Sequence, residues 1–211
     1  MFEAIALLSL TRTITKGNTL KEFPLTLEKK DLASEDVFSQ LFQQTHLQVY
    51  RYLYALTGGP AEEVDDLVAE SFVRAWSSRT HFHGDANAAL RWLLKIAKHQ
   101  MIDAYRRRKV SGEPESLDAK DPPAPDASPE AQTLSGERRK ILWQLLQTLP
   151  EEPREMLVLR YILDWPVGEI ARYMHKNETA VSMAIARALK RLQQNWPVKD
   201  SVFPTRSEPH V

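Results

Sequence analysis

The stretch WPVGEIARYMHKNETAVSMAIARALKRL, Trp165 to Leu192, decides how the chain is read. Its apolar residues keep helical spacing twice, with one polar interruption between. Val167, Ile170, Ala171 and Met174 form the first stripe, opened by Pro166, whose missing N–H suits a first helical position. His175-Lys176-Asn177 breaks the period, and Asn177 is placed to cap the second helix. Ala180, Val181, Ala184, Ile185, Ala188, Leu189 and Leu192 then make a narrow face whose small residues let two helices cross closely. Thr179, Ser182, Met183, Ala186, Arg187, Lys190 and Arg191 fall on or near the other side. A short helix, a tight turn and a longer helix is the arrangement that lays its second helix in a DNA major groove. A helical hairpin with a solvated basic face is the plainer alternative for this stretch alone.

Upstream, Ile141, Leu142, Leu145 and Leu146 lie on one helix, and Glu151 to about Leu163 forms the next. Together these make a domain of four helices over about 134–195, with 196–211 as a tail. Residues 110–133 differ in character: Pro114, Pro122, Pro123, Pro125 and Pro129 stand among Glu113, Glu115, Asp118, Asp121, Asp126 and Glu130. Such a segment cannot build a core and reads as a flexible acidic linker. Before it, Ser34-Glu35-Asp36 starts a long helix to Leu56, with Val37, Phe38, Leu41, Phe42, Val49, Leu53 and Leu56 as its core stripe and Gly58-Gly59 ending it. Pro60 opens a second helix to about Trp76, with Val64, Leu67, Val68, Phe72 and Ala75 facing inward. A third runs from about Ala88 to Arg108, burying Leu93, Ile96, Ala97 and Met101 and keeping its basic residues outside. These three make a domain over 32–109. Residues 1–31 show no sustained period beyond a turn at Lys16-Gly17-Asn18 and read as an extension. The fold class is all-α: two small helical domains joined by a Pro-rich acidic linker, the second containing the helix-turn-helix.

Charge narrows the function. The 28 basic and 28 acidic residues cancel, which argues against a uniformly basic nucleic-acid coat. The signs are segregated, however. Arg91, Lys95, Lys98, Arg106, Arg107, Arg108 and Lys109 face only Asp103, while Glu62, Glu63, Asp65, Asp66 and Glu70 crowd the helix before. Opposite blocks suit several partners, some anionic and some not. The absence of cysteine excludes disulfides and thiolate metal sites and fits a reducing cytosol. No apolar run approaches the roughly 18 residues that span a bilayer, and Glu3 interrupts the run from Met1 to Leu10, which is not read as a secretory signal. His81, His83 and Asp85 share a loop, but their spacing matches no strong metal signature. No phosphate-binding glycine loop or nucleophile elbow occurs. The expectation is a cytoplasmic chain without catalytic residues, metal or cofactor.

Three pieces now resemble one family. VDDLVAESFVRAW (64–76) looks like the acidic–aromatic helix in the second region of bacterial sigma factors. LPEEPREMLVLRYILDWPVGEIARYM (149–174) with AIARALKRL (184–192) is similar to their fourth region. HFHGDANAALRWLLKIAKHQMIDAYRRRK (81–109) resembles the promoter −10 segment of the compact two-domain, extracytoplasmic-function group. The order of the pieces, the linker and the length match that group over roughly 36–195.

The resemblance implies a transcription initiation factor that binds core RNA polymerase and promoter DNA. It implies polymerase contacts at Asp65, Asp66, Glu70, Phe72 and Trp76. For the two aromatics, core packing and interface anchoring are both open. It places −10 contacts at Asn87, Arg91, Lys95 and Lys98, with Arg106, Arg107 and Arg108 toward the backbone, where they set affinity and salt dependence rather than sequence choice. It places −35 contacts at Glu178, Thr179, Ser182, Met183 and Arg187, with Lys190 and Arg191 toward phosphates. Four departures stand out. Ala69 replaces the family's usual glutamine, Asn87 to Trp92 is one residue longer than usual, Ser182 and Ala184 stand where Lys and Arg are common, and His175 replaces a common turn glycine. The family's corresponding linker runs through the polymerase toward the RNA exit path, and an anti-sigma protein often covers its members. A helix-turn-helix regulator that never meets the polymerase is the rival reading. It has no need for the 64–76 helix joined to the basic 91–109 segment.

Overall fold

The computed structural model describes residues 31–84, 86–111 and 140–197. The expected extension with its Lys16-Gly17-Asn18 turn, the linker from 112 onward and the tail from 198 lie outside the described residues. A turn of 3-10 helix, Asp31–Ala33, leads into α1, Glu35–Thr57. Next come α2, Ala61–Ser78, and α3, Ala86–Ser111. The second half consists of α4 (140–147), α5 (Glu151–Leu157), α6 (Val167–Met174) and α7 (Glu178–Gln194). No strand occurs among the described residues.

α1 ends where a left-handed residue is available: Gly58 sits at φ 83° and returns its N–H to the Tyr54 carbonyl. Its first half carries the expected stripe against α2 and α3, and Phe38 and Leu41 are buried. Phe42, expected inward, is 43% exposed. It covers the edge of Phe72 from outside, ring centroids 4.8 Å apart. From Val49 to Leu56, α1 is buried all round. Val49, Tyr50, Tyr52, Leu53, Tyr54, Ala55 and Leu56 are all inaccessible, with only Arg51 among them half-buried. A helix without a solvated face lies between two layers. Here α2 and α3 form one layer, while α5 and the turn after it form the other. Tyr54 meets Trp143 of α4 edge to face at 5.3 Å.

The last carbonyls of α1 have no intrahelical donor and no basic residue in their own last turn. The second half supplies both donors and charge. Gln147 Nε2 donates to the Ala55 carbonyl at 3.1 Å and Arg154 Nη1 to the Leu56 carbonyl at 2.6 Å. A guanidinium at a helix C-terminus answers its unsatisfied acceptors and its negative dipole end together. The same Arg154 also donates to the Gln147 and Leu149 carbonyls, fixing α4 against α5.

α5 does not continue as an α-helix to Leu163. Val158–Ile162 is a π-helical turn, in which the Leu163 N–H reaches the Val158 carbonyl at 3.1 Å. Asp164 then takes φ 56° and Trp165 is buried against Tyr173. Pro166 is the residue just before α6 rather than its first turn, a one-residue shift of no mechanical consequence. α7 packs on α5 and α6 through Val181, Ile185, Ala188 and Leu192, four of the seven expected residues, and Ala180, Ala184 and Leu189 line its margins.

The turn between α6 and α7 is closed from both sides. Lys176 N–H reaches the Ala171 carbonyl at 2.9 Å and His175 N–H the Arg172 carbonyl at 3.4 Å, a Schellman pair. His175 occupies the left-handed position at φ 54°, where glycine carries no steric cost. Asn177 caps α7 as expected, accepting from the Ala180 N–H at 2.7 Å. Both side chains are exposed, so opposite changes are expected in urea denaturation. His175→Gly should stabilise by about 1 kcal/mol, and Asn177→Ala should destabilise by about 1 kcal/mol.

Candidate nucleic-acid interface

The outer face of α7 is open. Glu178, Thr179, Ser182, Met183, Arg187, Lys190 and Arg191 are all accessible to solvent, and Met183 presents 56% of its surface. Arg187 Nε donates back to the Met183 carbonyl at 3.3 Å, which lays its guanidinium along the helix. Seven polar or adaptable side chains on one helical face, over an apolar opposite face, form a surface that fits a groove. Ser182 leaves the middle of the face uncharged, and Ala184 lies at the margin of the packed face instead.

The acidic face of α2 is also open. Asp65, Asp66 and Glu70 are exposed, and Val73, one turn on, is 66% exposed. Asp65 lies close enough to the buried Tyr50 that burial and then its charge raise the phenol pKa. Glu70 approaches Arg107 at 3.8 Å, and Glu63 pairs with Arg108, so α2 steadies the basic end of α3. Phe72 packs in the core, 5% exposed, between Phe38 and Phe42. Trp76 is half-buried against Phe38, with the Arg79 guanidinium 3.4 Å over its ring. The exposed apolar side chains of this body include Val73, on α2 one turn after Glu70, and Phe42 on α1. Sequence periodicity assigns Phe42 to the core and gives Val73 no role.

α3 differs at its two ends. Arg106 and Arg107 are exposed at the C-terminal end, Arg106 beside Asp103 at 3.7 Å. Arg108 is partly covered by its partner Glu63. The backbone of Asn87 lies in the first turn, and its side chain lies outside the described residues. Arg91, Lys95 and Lys98 fall on one face at helical spacing; Arg91 and Lys98 are turned toward the second half of the chain, and Lys95 stays exposed at its margin. Arg91 forms an ion pair with Glu169 of α6. Lys98 Nζ reaches Glu155 Oε2 at 2.6 Å and Glu151 Oε1 at 3.2 Å, both on α5. Lys95 Nζ stands 5.8 Å over the Tyr173 ring centre. Arg91 and Lys98, expected outside, are therefore half-buried, because two helices of the second half cover them.

At the centre of this junction Glu155 is 1% exposed. Its other oxygen, Oε1, accepts from the Tyr52 hydroxyl of α1 at 2.5 Å. Tyr173 lies 3.4 Å from the Tyr52 oxygen, and because Tyr52 spends its proton on Glu155, Tyr173 is the donor there. Burial above all pushes both phenols up, so both remain protonated. Burial pulls Lys98 down, but hydrogen bonds and charge from Glu155 and Glu151 outweigh it and leave its pKa raised. Burial pushes Glu169 up, and the hydrogen bonds from Arg172 and Arg91 outweigh that and hold its pKa below the usual value.

His81 and His83 are exposed on the loop before α3, and Asp85 lies outside the described residues. No cluster of three or more His, Cys, Asp or Glu side chains suited to a metal occurs among the described residues.

Comparison with known proteins places these two bodies. Residues 41–110 match the model described as Sigma-70 region 2, and residues 139–192 match Sigma-70, region 4; together they cover more than half of the chain. The ECF RNA polymerase sigma factor BldN of Streptomyces coelicolor is 29% identical over 171 residues, 81% of this chain and 64% of BldN. The chain thus spans just under two thirds of that relative. The ECF RNA polymerase sigma factor SigX of Bacillus subtilis is 25% identical over 166 residues, 76% of this chain and 84% of SigX. Among solved structures, the sigma factor RpoE of Bartonella quintana, crystallised with the anti-sigma factor NepR, superposes with a TM-score of 0.61 at 18% identity, covering 76% of this chain and 96% of that one. At that identity the likeness is one of fold.

The shifts of Glu169 and Lys98 fix the pH range of the junction. A lowered carboxyl contributes above its unfolded pKa and loses the contribution as pH falls through the folded one. A raised lysine contributes below its unfolded pKa and loses it as pH rises through the folded one. Docking of the two halves, followed by tryptophan fluorescence during thermal unfolding, should therefore stay flat between about pH 6 and about pH 9 and weaken below about pH 4. A transition centred in the histidine range would contradict this assignment.

Proposed function

The chain belongs to the sigma-70 family, in its extracytoplasmic-function group, and we propose that it binds core RNA polymerase and directs it to promoters by contacting their −10 and −35 elements. The observation that carries the reading is the pairing of two bodies on one chain. One has an exposed acidic face on α2 joined to a basic α3, and the other has an open recognition face on α7. A DNA-binding regulator uses only the second. The chain itself performs no catalysis on this reading, because the polymerase it joins makes the phosphodiester bonds.

Asp65, Asp66 and Glu70 offer carboxylates to basic groups of the polymerase, and Val73, one turn on, supplies exposed apolar area. Phe72 holds that surface in place from within, and Trp76 supports it from the side. Asn87, Arg91, Lys95 and Lys98 address the −10 strand, which must be unstacked and held. Arg106, Arg107 and Arg108 take its backbone. Glu178, Thr179, Ser182, Met183 and Arg187 meet −35 base edges, with Lys190 and Arg191 on phosphates. No helix among the described residues is long and apolar enough to cross a membrane, and a factor that meets polymerase on the chromosome works in the cytoplasm. An inhibitory protein partner is proposed by analogy with the structural neighbours, RpoE with NepR and CnrH with the cytosolic domain of CnrY.

The deciding experiment adds the purified chain to bacterial core polymerase on a promoter template and measures run-off transcript. Promoter-dependent transcript is expected. DNA binding with no polymerase association would favour the plain regulator. Asp66→Lys with Glu70→Lys, both exposed, should abolish co-elution with core polymerase while leaving the circular dichroism spectrum unchanged. On −35 DNA, Lys190→Ala with Arg191→Ala should reduce the slope of log affinity against log salt by about 2 without altering sequence preference.

A further inference from the structure

The open face of α7 carries an apolar line that its cations do not explain. Met183 is 56% exposed. No other leucine, isoleucine, valine, methionine or aromatic side chain is exposed among the described residues of the second half. Thr179 stands about one turn before Met183 and Ala186 about one turn after it, both exposed. A methyl, a thioether and a second methyl therefore follow one another along the helix. The line advances about 10 Å, or roughly three base-pair steps. Cations border it: Arg187, anchored by its Nε to the Met183 carbonyl, then Lys190 and Arg191. No acidic residue occurs from Thr179 to Leu192. An apolar ridge edged only with positive charge suits an anionic partner that also offers apolar atoms.

In the major groove of DNA that apolar group is the C5-methyl of thymine. The side chains that read other bases are missing from the middle of the face. Guanine is read by a bidentate arginine or lysine and adenine by asparagine or glutamine, but Ser182 and Met183 stand there. Arg187, the nearest guanidinium, is turned back along the helix. Cytosine takes a carboxylate, and Glu178 stands at the first turn, leaning over α6, where a β-carbon on Gly168 would meet its Oε1 at 3.0 Å. We propose that Thr179, Met183 and Ala186 read the −35 element through thymine methyl groups, which adds Ala186 to the residues that set promoter choice. The inference rests on the −35 reading of α7 for the identity of the duplex. Met183 is unbranched and adapts its shape to a methyl group, whereas Lys190 and Arg191 hold phosphates whatever the sequence. A −35 element bound by this chain thus carries thymine under the centre of the recognition helix.

Uracil differs from thymine only by that methyl group, so it isolates the contact. Selection from a duplex library randomised over one helical turn, with the full-length chain alone and with core polymerase, should enrich at least one thymine position. Uracil is then put in place of each thymine of the selected duplex in turn. At the position read by the ridge, binding should weaken about fourfold, the effect of losing one buried methyl group. Met183→Ala should bring the ratio of thymine to uracil affinity close to one, and Met183→Leu should keep most of it. Both variants place strong helix formers at an exposed position, and an unchanged circular dichroism spectrum checks the fold. Lys190→Ala with Arg191→Ala should weaken both duplexes alike and leave the ratio as it is. Uracil equal to thymine at every position, or the full ratio retained by Met183→Ala, would overturn the proposal. So would a selected motif without thymine, or no enrichment by either preparation. Run-off transcription by the wild-type chain reports separately on the sigma-factor reading, because it survives loss of the methyl contact, whereas duplex binding by the chain alone needs no polymerase.

Discussion

A carboxyl group sealed inside a protein must find donors, and Glu155 finds them on two helices outside its own body. It is 1% exposed, and it takes one hydrogen bond from Tyr52 and an ion pair from Lys98. An unpaired buried charge costs several kcal/mol, roughly 3–5 when one partner of a pair is removed. The way the two bodies meet reflects that requirement. Neither body satisfies Glu155 alone, and only one relative placement brings Tyr52 and Lys98 to it together. The pair sets register more than it adds stability, because an apolar substitute of equal volume would do as well energetically.

α1 is the member both bodies share. Its first half closes the core of α2 and α3, and its second half is packed by the π-turn and α5 as well. Its C-terminal carbonyls are completed by Arg154 and Gln147 from across the junction. The outward surfaces then divide by task. The acids of α2 and the long face of α7 look to solvent, whereas Arg91 and Lys98 of the cationic stripe on α3 look inward. A chain with no net charge thus carries its opposite charges as complementary surfaces, some of which meet each other.

The helices, their order and the helix-turn-helix were legible because each rests on local signals. Gly58, Asn177 and the stripe from Val181 to Leu192 act within a turn or two of themselves, and the structure uses each as its chemistry suggests. The exposed face of α7 was legible for the same reason. The junction was not. Tyr52 lies off the stripe of α1, Glu155 sits among ordinary surface charges in EEPREM, and Arg91 and Lys98 read as solvated cations. Their partners lie 78 residues from Arg91 and 57 from Lys98 in the chain, and no periodicity reports on such distances. Phe42 went astray through the opposite error, since its spacing is right for the core but Phe72 already fills the place beneath it.

The wide turn at Val158–Ile162 carries one residue more than an α-helix would need for the same advance. That surplus acts like slack taken up in a coil. A deletion of one residue within the wide turn can be absorbed by closing it to ordinary α-helix, whereas a deletion in the α-helical part of α5 would turn everything downstream by about 100° around its axis. The helix-turn-helix would then keep its own packing, but Glu169 and Tyr173 would swing off α3. The wide turn is thus the one place in α5 where the spacing between the two bodies tolerates a change of length.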